Sequence, residues 1–257
     1  SYRAQTYRRT YTIRTRIMIL VTGGTGQIGS RLLLNLTKNK AYKVRAIYRN
    51  TQSLEKIRQL FVKHSDSGAA QFDTIEWIQA DLSNIPALEK AFEGVTFVFH
   101  CAGLISFQPQ DFDKLIEVNV QGTANIVNLS IDFGVKKLCY VSSVATLSTL
   151  PHTPIDEEND WNNEDNNTDY AISKHGAEME VWRSSQEGLP VVIVNPSVVL
   201  GGDFADRGSG LLYKKVADGL RYYPAGATGF VGVDDVVRAM VQLQFSEVAG
   251  ERFVLNA

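Results

Sequence analysis

A glycine-rich turn between an apolar strand and a helix restricts the folds that this chain can adopt. The apolar run 17–22 indicates a buried strand, and residues 27–38 carry apolar side chains at helical spacing. Between them, Gly23 suits a tight turn, Gly26 lets backbone approach a pyrophosphate, and Gly29 permits close packing of helix on strand. Because free N–H groups at a helix start attract anions, the turn predicts a nucleotide-phosphate site. The alternative is a glycine turn that binds no ligand.

Strands and helices alternate over residues 17–196, which is typical of a parallel sheet with right-handed crossovers. We therefore predict an α/β fold with a doubly wound parallel sheet. Residues 197–257 lose the strict alternation and are expected to form a smaller, incomplete C-terminal substrate lobe interleaved with the first domain. The predicted strands are 17–22, 42–48, 74–79, 95–100, 137–141, 189–194 and 252–255. The main predicted helices are 27–38, 51–63, 111–132, 169–187, 211–219 and one that starts at 233–240, with a turn at 65–68 and a loop at 150–168.

Composition excludes several classes of protein. A net charge of −2 gives no sign of nucleic acid or an anionic membrane as the main partner, and no apolar run is long enough to span a bilayer. Cys101 and Cys139 lie in or beside apolar strand-like runs and are interpreted as small core residues, which fits a reducing, cytoplasmic setting. Two cysteines and four scattered histidines predict no metal site.

The first sixteen residues differ from the rest. Residues 1–16 hold five arginines and no acid. They are either a basic arm for an anionic partner or an extension foreign to the natural chain. We favour the second interpretation, because Met18 stands where a natural start would place the first strand.

Polar residues at predicted strand ends suggest which dinucleotide binds. Strand two ends without the acid that holds the ribose 2′-hydroxyl of NAD, and Arg49 suits a 2′-phosphate, so NADP(H) is predicted and NAD is the alternative. A solvated arginine is the plainer interpretation. Asp81, after strand three, can accept a hydrogen bond from the adenine amino group. Residues 101–103 end strand four with small side chains that let a cofactor lie against backbone, while His100 is interpreted as structural.

A tyrosine and a lysine four residues apart supply the candidate chemistry. Tyr170 and Lys174 share one helix face, where an ammonium would lower the phenol pKa from its usual value of about 10. Ser142 and Ser143 end strand five, and either hydroxyl could bond the same substrate oxygen. Asn119 is an awkward helix residue and is expected to bond a neighbouring strand's backbone and hold the site open.

Taken together, these segments resemble the NAD-dependent epimerase/dehydratase family, also called the extended short-chain dehydrogenases/reductases, over residues 18–257. The motifs that carry the resemblance are 22–29, 81–82, 100–103, 119–123, 140–143, 170–174, 195–201 and 231–236. The resemblance implies a Rossmann NAD(P)-binding domain over 17–196 and a partial substrate-binding lobe over 197–257.

The resemblance also implies residue roles. Tyr170 would be the acid/base, Lys174 would bind the nicotinamide ribose and lower the tyrosine pKa, and Ser143 would polarise the substrate oxygen. Ser142 is the fallback for that last role, and Asn119 completes the catalytic set. The implied cofactor contacts are Gly23, Thr25, Gly26, Gln27, Ile28, Gly29, Arg49, Asp81, Leu82, Cys101, Ala102, Gly103, Tyr170, Lys174, Pro196 and Val198.

Within that family, residues 44–49 and 140–145 look most like the dihydroflavonol 4-reductase and 3β-hydroxysteroid dehydrogenase branch. Val144 and Ala145 stand where sugar-nucleotide 4,6-dehydratases carry acids, and Asn195 stands where many members have arginine. The expected function is an NADP(H)-dependent oxidoreductase that reduces a carbonyl or oxidises a secondary alcohol. The alternatives are a nucleotide-sugar epimerase with tightly held NAD and a non-catalytic dinucleotide sensor.

The substrate side is less informative. An aromatic or apolar small-molecule acceptor is favoured by Tyr213, Tyr222, Tyr223 and Phe230, and Phe107 and Phe204 are expected to line the cleft. A plain core explains these residues equally well. A homodimer built through two helices per subunit is an expectation of the resemblance alone.

Overall fold

The computed structural model of this protein describes residues 17–148, 154–204, 210–219 and 228–257. Several sequence predictions lie outside these ranges. They are the extension 1–16, the start of the loop 150–168, part of the lobe 197–257, and residues Tyr222 and Tyr223. The backbone of Tyr213 is described, but its side chain is not.

Strands and helices alternate as predicted. The strands are β1 Ile17–Thr22, β2 Tyr42–Tyr48, β3 Glu76–Gln79, β4 Phe97–His100, β5 Lys137–Val141, β6 Val191–Pro196, β7 Val198–Leu200, β8 Phe230–Gly232 and β9 Glu251–Leu255. The helices are α1 Gln27–Leu36, α2 Thr51–His64, α3 Gly68–Asp73, α4 Ile85–Phe92, α5 Phe112–Leu115, α6 Gly122–Asp132, α7 Asp169–Gln186, α8 Gly210–Ala217 and α9 Val233–Gln244. Across the described ranges, no helix combines the length and apolarity needed to cross a bilayer.

Seven strands form one parallel sheet in the order β3-β2-β1-β4-β5-β6-β9. From β1, the next strands in sequence, β2 and β3, are added on one side of the sheet. From β4, the strands β5, β6 and β9 are added on the other side, so the direction in which strands are added reverses between β1 and β4. In sheets of this kind, ligands bind outside the carboxyl ends of the strands at that reversal. The predicted fold class is confirmed, and the topology identifies the ends of β1 and β4 as the place to look for a site.

The sheet is buried on both faces, which explains its nearly continuous apolar strands. Successive residues of β1 enter opposite core clusters: Ile19 and Val21 pack on the side of α1 and α9, and Leu20 packs on the side of α4, α6 and α7. All three side chains are fully buried. Helices on both faces therefore hold the strand ends in fixed positions.

The predicted helix 111–132 is interrupted. Pro109–Asp111 forms a 3-10 turn, α5 follows, and residues Ile116–Gln121 form a π-helical turn before α6. The π turn contains Asn119, whose side chain has partners in other parts of the chain. Such turns insert one extra residue into a helix and re-aim the side chains around it. A second difference is α3, which begins at the end of the predicted turn 65–68.

The last part of the chain joins the main sheet. β9 pairs in parallel with β6, and α9 packs against the same sheet through Val236 and Met240. β7 and β8 pair with each other in a separate two-stranded sheet. The predicted boundary at residue 196 falls between β6 and β7, and the segments after it are interleaved with the first domain; the division into two domains stays a prediction.

The close packing of α1 on the glycine turn predicts that position 29 tolerates no side chain larger than that of glycine. A Cβ added there would lie 2.8 Å from the carbonyl carbon of Gly23, and the obstructing atoms are backbone that cannot rotate away. We expect Gly29→Ala to lower the free energy of unfolding by about 1–3 kcal/mol, as overpacked sites do. Urea unfolding monitored by circular dichroism measures this. Gly202→Ala is the matched control, because a Cβ at Gly202 meets nothing within 4 Å; equal stability of the two variants would contradict the packing argument.

Candidate active site

The glycine turn forms an open cradle at the end of β1. Gly23 has a φ of +67°, and a Cβ there would lie 2.6 Å from the backbone nitrogen of Ala102. Gly26 donates its N–H to the Gly23 carbonyl at 2.9 Å and precedes α1 without a side chain that could cap the helix. The first turn of α1 contains no acid. Backbone N–H groups, a helix start and absent side chains together fit a pyrophosphate.

Three other predicted contacts surround this cradle. The side chain of Gln27 donates to the carbonyl of Val199 at 3.3 Å and so ties the turn to β7. Ile28 is half-buried against the core, and Thr25 is also half-buried. Gln27 and Ile28 thus hold the turn in place, and the contact of all three residues with a cofactor stays a prediction.

Arg49 and Asp81 lie together at the ends of β2 and β3. The guanidinium and the carboxylate are 3.8 Å apart, with side chains 64% and 46% exposed. Asp81 also accepts from the backbone N–H and the hydroxyl of Ser83. Leu82 is buried and occupies the space beside Gly122. Arg49 is therefore accessible to an anion, although a neighbouring carboxylate offsets part of its charge.

The segment after β4 runs beside the glycine turn. The backbone N–H of Ala102 donates to the Thr22 hydroxyl at 3.2 Å. Burial raises the pKa of the Cys101 thiol to about 12, so it is a neutral thiol at neutral pH. A Cβ on Gly103 would lie 3.4 Å from Asn119 Oδ1 and 3.9 Å from Lys174 Nζ. Small side chains here leave backbone facing Asn119 and Lys174, which fits the prediction of a cofactor against residues 101–103.

His100 is a buried structural residue. Its ring is hydrogen-bonded to the hydroxyl of Thr22 at 2.6 Å and to that of Thr123 at 2.9 Å. Burial, with a smaller contribution from the charge of Lys174, lowers the His100 pKa to about 3. The imidazole is thus neutral throughout the physiological range and links the ends of β1 and β4 to α6.

Tyr170 lies in the first turn of α7, near the Ser143 side chain, whose Oγ accepts from the Ala145 N–H at 3.2 Å. Thr168 caps this helix by accepting from the N–H of Ala171 at 3.1 Å. Burial raises the Tyr170 pKa, and the hydrogen bond with the Ser143 side chain opposes that rise. Tyr170 is therefore a protonated phenol at neutral pH, with a hydroxyl partner already in place.

Lys174 points from the same helix face into the end of β5. Its ammonium donates to the Tyr140 hydroxyl at 2.6 Å and to the Val141 carbonyl at 2.9 Å. Burial lowers the Lys174 pKa to about 7, against the opposing charge of Glu178. The sequence predicted a Tyr170 pKa lowered by Lys174. Instead, burial dominates at Tyr170, because the ammonium is directed at Tyr140 and Val141.

Asn119 connects the loop after β4 to α7. Its Oδ1 accepts from the Leu104 N–H at 2.7 Å, and its Nδ2 donates to the Leu104 carbonyl at 3.0 Å and to Ser173 Oγ at 2.9 Å. The prediction that it bonds a strand's backbone is corrected in one respect: the partner is the loop that follows the strand. Asn119 is buried, and it fixes the position of that loop beside α7.

The two candidate serines have different surroundings. The Ser142 side chain is buried and donates to Glu178 Oε2 at 2.5 Å. Ser143 is half-buried, and its Oγ accepts from the Ala145 N–H at 3.2 Å. These contacts favour Ser143 over the fallback Ser142 for the substrate oxygen, and the assignment stays a prediction.

The predicted substrate-side residues divide between cleft and core. Phe107 is 71% exposed and packs its ring against that of Tyr170, with centroids 5.8 Å apart. Phe204 is buried in the core, so its predicted place in the cleft is wrong. Phe230 is exposed at the start of β8. Asn195, the departure from the family pattern, is fully buried behind Ser143.

Two predicted cofactor contacts lie near that asparagine. Pro196 ends β6 and pairs with Leu255 of β9, and Val198 begins β7 half-buried. Both follow the carboxyl end of β6, on the edge of the sheet that carries the other candidate residues. Their contact with a cofactor stays a prediction.

The sequence predictions missed the buried acid Glu178, which is 1% exposed and lies next to this group. It follows Lys174 by four residues and Tyr170 by eight, which is the spacing of one helix face. That spacing was the available signal. The partners of Glu178, described below, come from β5, β6 and β9.

Comparison with known proteins gives consistent matches. The family described as "NAD dependent epimerase/dehydratase family" matches residues 19–255. Sterol demethylase protein B from Methylococcus capsulatus is 29% identical, over 92% of this chain and 69% of its own length. Tetraketide alpha-pyrone reductase 2 from Arabidopsis thaliana is 31% identical over 93% of this chain and 77% of its own length. The crystal structure of gox2253 superposes with a TM-score of 0.79 at 29% identity, covering 94% of this chain and 70% of the other.

The buried, neutral His100 predicts a specific pH dependence of stability. Its folded-state pKa of about 3 lies below the ordinary value of 6.5, so the unfolded chain binds the extra proton between these values. Stability contributed by neutral His100 is therefore complete above pH 6.5 and falls with pH by up to about 1.4 kcal/mol per unit. We expect His100→Gln to show a shallower loss of unfolding free energy on acidification than the wild type, in urea titrations at several pH values. Identical slopes would show that His100 does not carry this linkage.

Proposed function

The chain belongs to the NAD dependent epimerase/dehydratase family, and from that premise we propose that it is an NADP(H)-dependent carbonyl reductase acting through Ser143, Tyr170 and Lys174. The reverse reaction is oxidation of a secondary alcohol. Membership confirms the family resemblance of the sequence motifs, and relatives named as reductases support reduction. The observation that carries the proposal is the position of Lys174, one turn after Tyr170 on α7: its ammonium donates to the Val141 carbonyl at the end of β5, and it lies 3.9 Å from a Cβ placed on Gly103, beside the glycine turn.

Each side chain has a separate task in this proposal. The dinucleotide supplies the hydride. Tyr170 supplies the proton, and its raised pKa keeps it protonated and ready to donate. Ser143 hydrogen-bonds the same substrate oxygen and then stabilises the phenolate that Tyr170 becomes. Lys174 adds positive charge below that phenolate, on the same helix face.

The proposed cofactor site extends from the glycine turn to Arg49. The start of α1 would hold the pyrophosphate, and the backbone of residues 101–103 would lie against the nicotinamide half. Arg49 supports NADP(H) over NAD, because its exposed guanidinium suits a phosphate. Asp81 would accept from the adenine amino group at the same end of the site.

We also propose an acceptor with an apolar or aromatic part. The support is Phe107, an exposed ring in contact with the ring of Tyr170. An exposed aromatic side chain beside the proton donor offers a planar apolar surface next to the reacting oxygen. A carbonyl conjugated to a ring would cover Phe107 while its oxygen meets Ser143 and Tyr170.

The proton-donor role predicts the effect of removing one oxygen atom. Tyr170→Phe is expected to reduce turnover by a factor of at least ~100, because the substrate oxygen loses its proton source. Cofactor affinity should change little, since the ring remains. A screen of NADPH oxidation against ketones, flavonoid-like carbonyls, steroids and nucleotide sugars identifies a substrate, and fluorescence titration measures NADPH binding. Full turnover in Tyr170→Phe would refute the assignment, and NAD retained through purification would favour the epimerase.

The phosphate-binding role of Arg49 predicts a selective loss. Arg49→Ala should weaken NADPH binding by about 10- to 100-fold, as loss of a charge-assisted hydrogen bond does, and leave NADH binding nearly unchanged. Isothermal titration with both cofactors measures this. Arg58→Ala is the control, because Arg58 is an arginine of α2 already paired with Asp73. Equal losses for the two cofactors would rule out a 2′-phosphate contact.

A further inference from the structure

Glu178 is a buried carboxylate to which the proposed reaction assigns no role. Its side chain is 1% exposed, in the middle of α7. Oε2 accepts from Ser142 at 2.5 Å, from Thr146 at 3.0 Å and from Asn195 at 3.0 Å. These three donors come from the end of β5, from the 3-10 turn Val144–Thr146 that follows it, and from β6. A single carboxylate oxygen thus links the side chains of three separate segments of the chain.

The other oxygen of Glu178 faces charge and an indole. Oε1 accepts from Trp182 Nε1 at 3.3 Å and lies 3.6 Å from the Arg252 guanidinium. Arg252 belongs to β9 and also donates to the Glu157 and Asn159 carbonyls. A buried carboxylate is tolerated when it is paired and fully hydrogen-bonded, and Glu178 meets both conditions.

The donors to Glu178 lie on both sides of Ser143 in the chain. Ser142 precedes Ser143, and Thr146 closes the 3-10 turn by returning its backbone N–H to the Ser143 carbonyl at 3.1 Å. Asn195 donates to that same carbonyl at 3.1 Å. The backbone of Ser143 is therefore held before, after and at its own carbonyl by groups that converge on Glu178. The Ser143 Oγ accepts from the Ala145 N–H at 3.2 Å, and its hydroxyl is also the partner through which Ser143 lowers the Tyr170 pKa.

We propose that Glu178 is a positioning residue for Ser143, and through it for the hydrogen bond between the Ser143 and Tyr170 hydroxyls. The importance of this role for turnover rests on the proposed function; the positioning itself does not. Glu178 belongs to the same helix as Tyr170, two turns further on. The helix therefore sets the distance between the Tyr170 phenol and the Glu178 carboxylate that holds the Ser143 backbone. The positions of the Tyr170 and Ser143 hydroxyls are thus fixed relative to the same helix.

The test is the ionisation of Tyr170, measured by NMR with tyrosine labelled at 13Cζ. Its resonance is identified by its absence in Tyr170→Phe. If Glu178 positions Ser143, Glu178→Gln should raise the Tyr170 pKa by as much as Ser143→Ala does, because both variants remove the same hydrogen bond. A direct electrostatic effect has the opposite sign, since loss of a nearby negative charge lowers a phenol pKa.

A double variant separates positioning from an effect that runs through Lys174. The charge of Glu178 raises the Lys174 pKa, so Glu178→Gln also weakens that ammonium. In the Ser143→Ala background, Glu178→Gln should cause no further shift of the Tyr170 pKa if it acts through Ser143. A further rise in that background assigns the effect to Lys174 and overturns the proposal, as does an unchanged or lowered Tyr170 pKa in the single variant.

Two more variants complete the experiment. Glu180→Gln is the control, because Glu180 is an acid of the same helix that pairs with Arg183 at the surface; it should leave Tyr170 unchanged. If Glu178→Gln does not fold, Ser142→Ala removes the shortest bond to Glu178 and leaves its charge, and it should raise the Tyr170 pKa in the same direction. No shift in Ser142→Ala would overturn the proposal. Full turnover in Tyr170→Phe would reject the proposed function without affecting these shifts.

Discussion

The candidate site depends on how α7 is fixed to the end of β5. Lys174 donates from the helix to the Tyr140 hydroxyl and the Val141 carbonyl, and Glu178 accepts from Ser142 one turn further along. Two ionisable side chains of one helix thus hold consecutive residues at the end of one strand. Because both contacts are buried, the helix cannot slide along the strand without leaving a polar group without its partner. As a consequence, Tyr170 in the first turn of the helix and Ser143 after the strand lie at the same edge of the sheet.

The carboxyl ends of the central strands form a buried polar layer inside an otherwise apolar core. Thr22, His100 and Thr123 bond one another, and the His100 ring stacks on Tyr140 with centroids 5.4 Å apart. Each of these groups has a partner, which is the condition for keeping polar atoms in a low-dielectric interior. The residues proposed to recognise the far end of the cofactor, Arg49 and Asp81, are exposed. In the proposed mechanism, proton transfer therefore falls to the buried end of the site, and discrimination between cofactors to the exposed end.

Sequence patterns predicted the buried strands well, because a strand covered on both faces is a continuous apolar run. The bounds of β1 and β5 agree with prediction for this reason, and those of β2 also agree although Lys43 and Arg45 interrupt its apolar run. β6 was displaced: it continues through Asn195 and Pro196 because β9 pairs with both residues, and a partner so distant in sequence leaves no local signal. The sequence left the choice between Ser142 and Ser143 open for a similar reason, because Glu178, the buried partner of Ser142, lies 36 residues further along the chain.

The π turn at Ile116–Gln121 has a consequence for how this chain can vary. A residue deleted there would convert the π turn into regular α-helix, a conformation with better hydrogen bonds. The helix on either side would keep its phase, because a π turn absorbs one extra residue within a single turn. Only the side chains of the turn itself would be redirected, and Asn119 could then no longer face Leu104 and Ser173 together. The extra residue thus sets the direction of one buried amide and leaves the packing of the flanking helices unchanged.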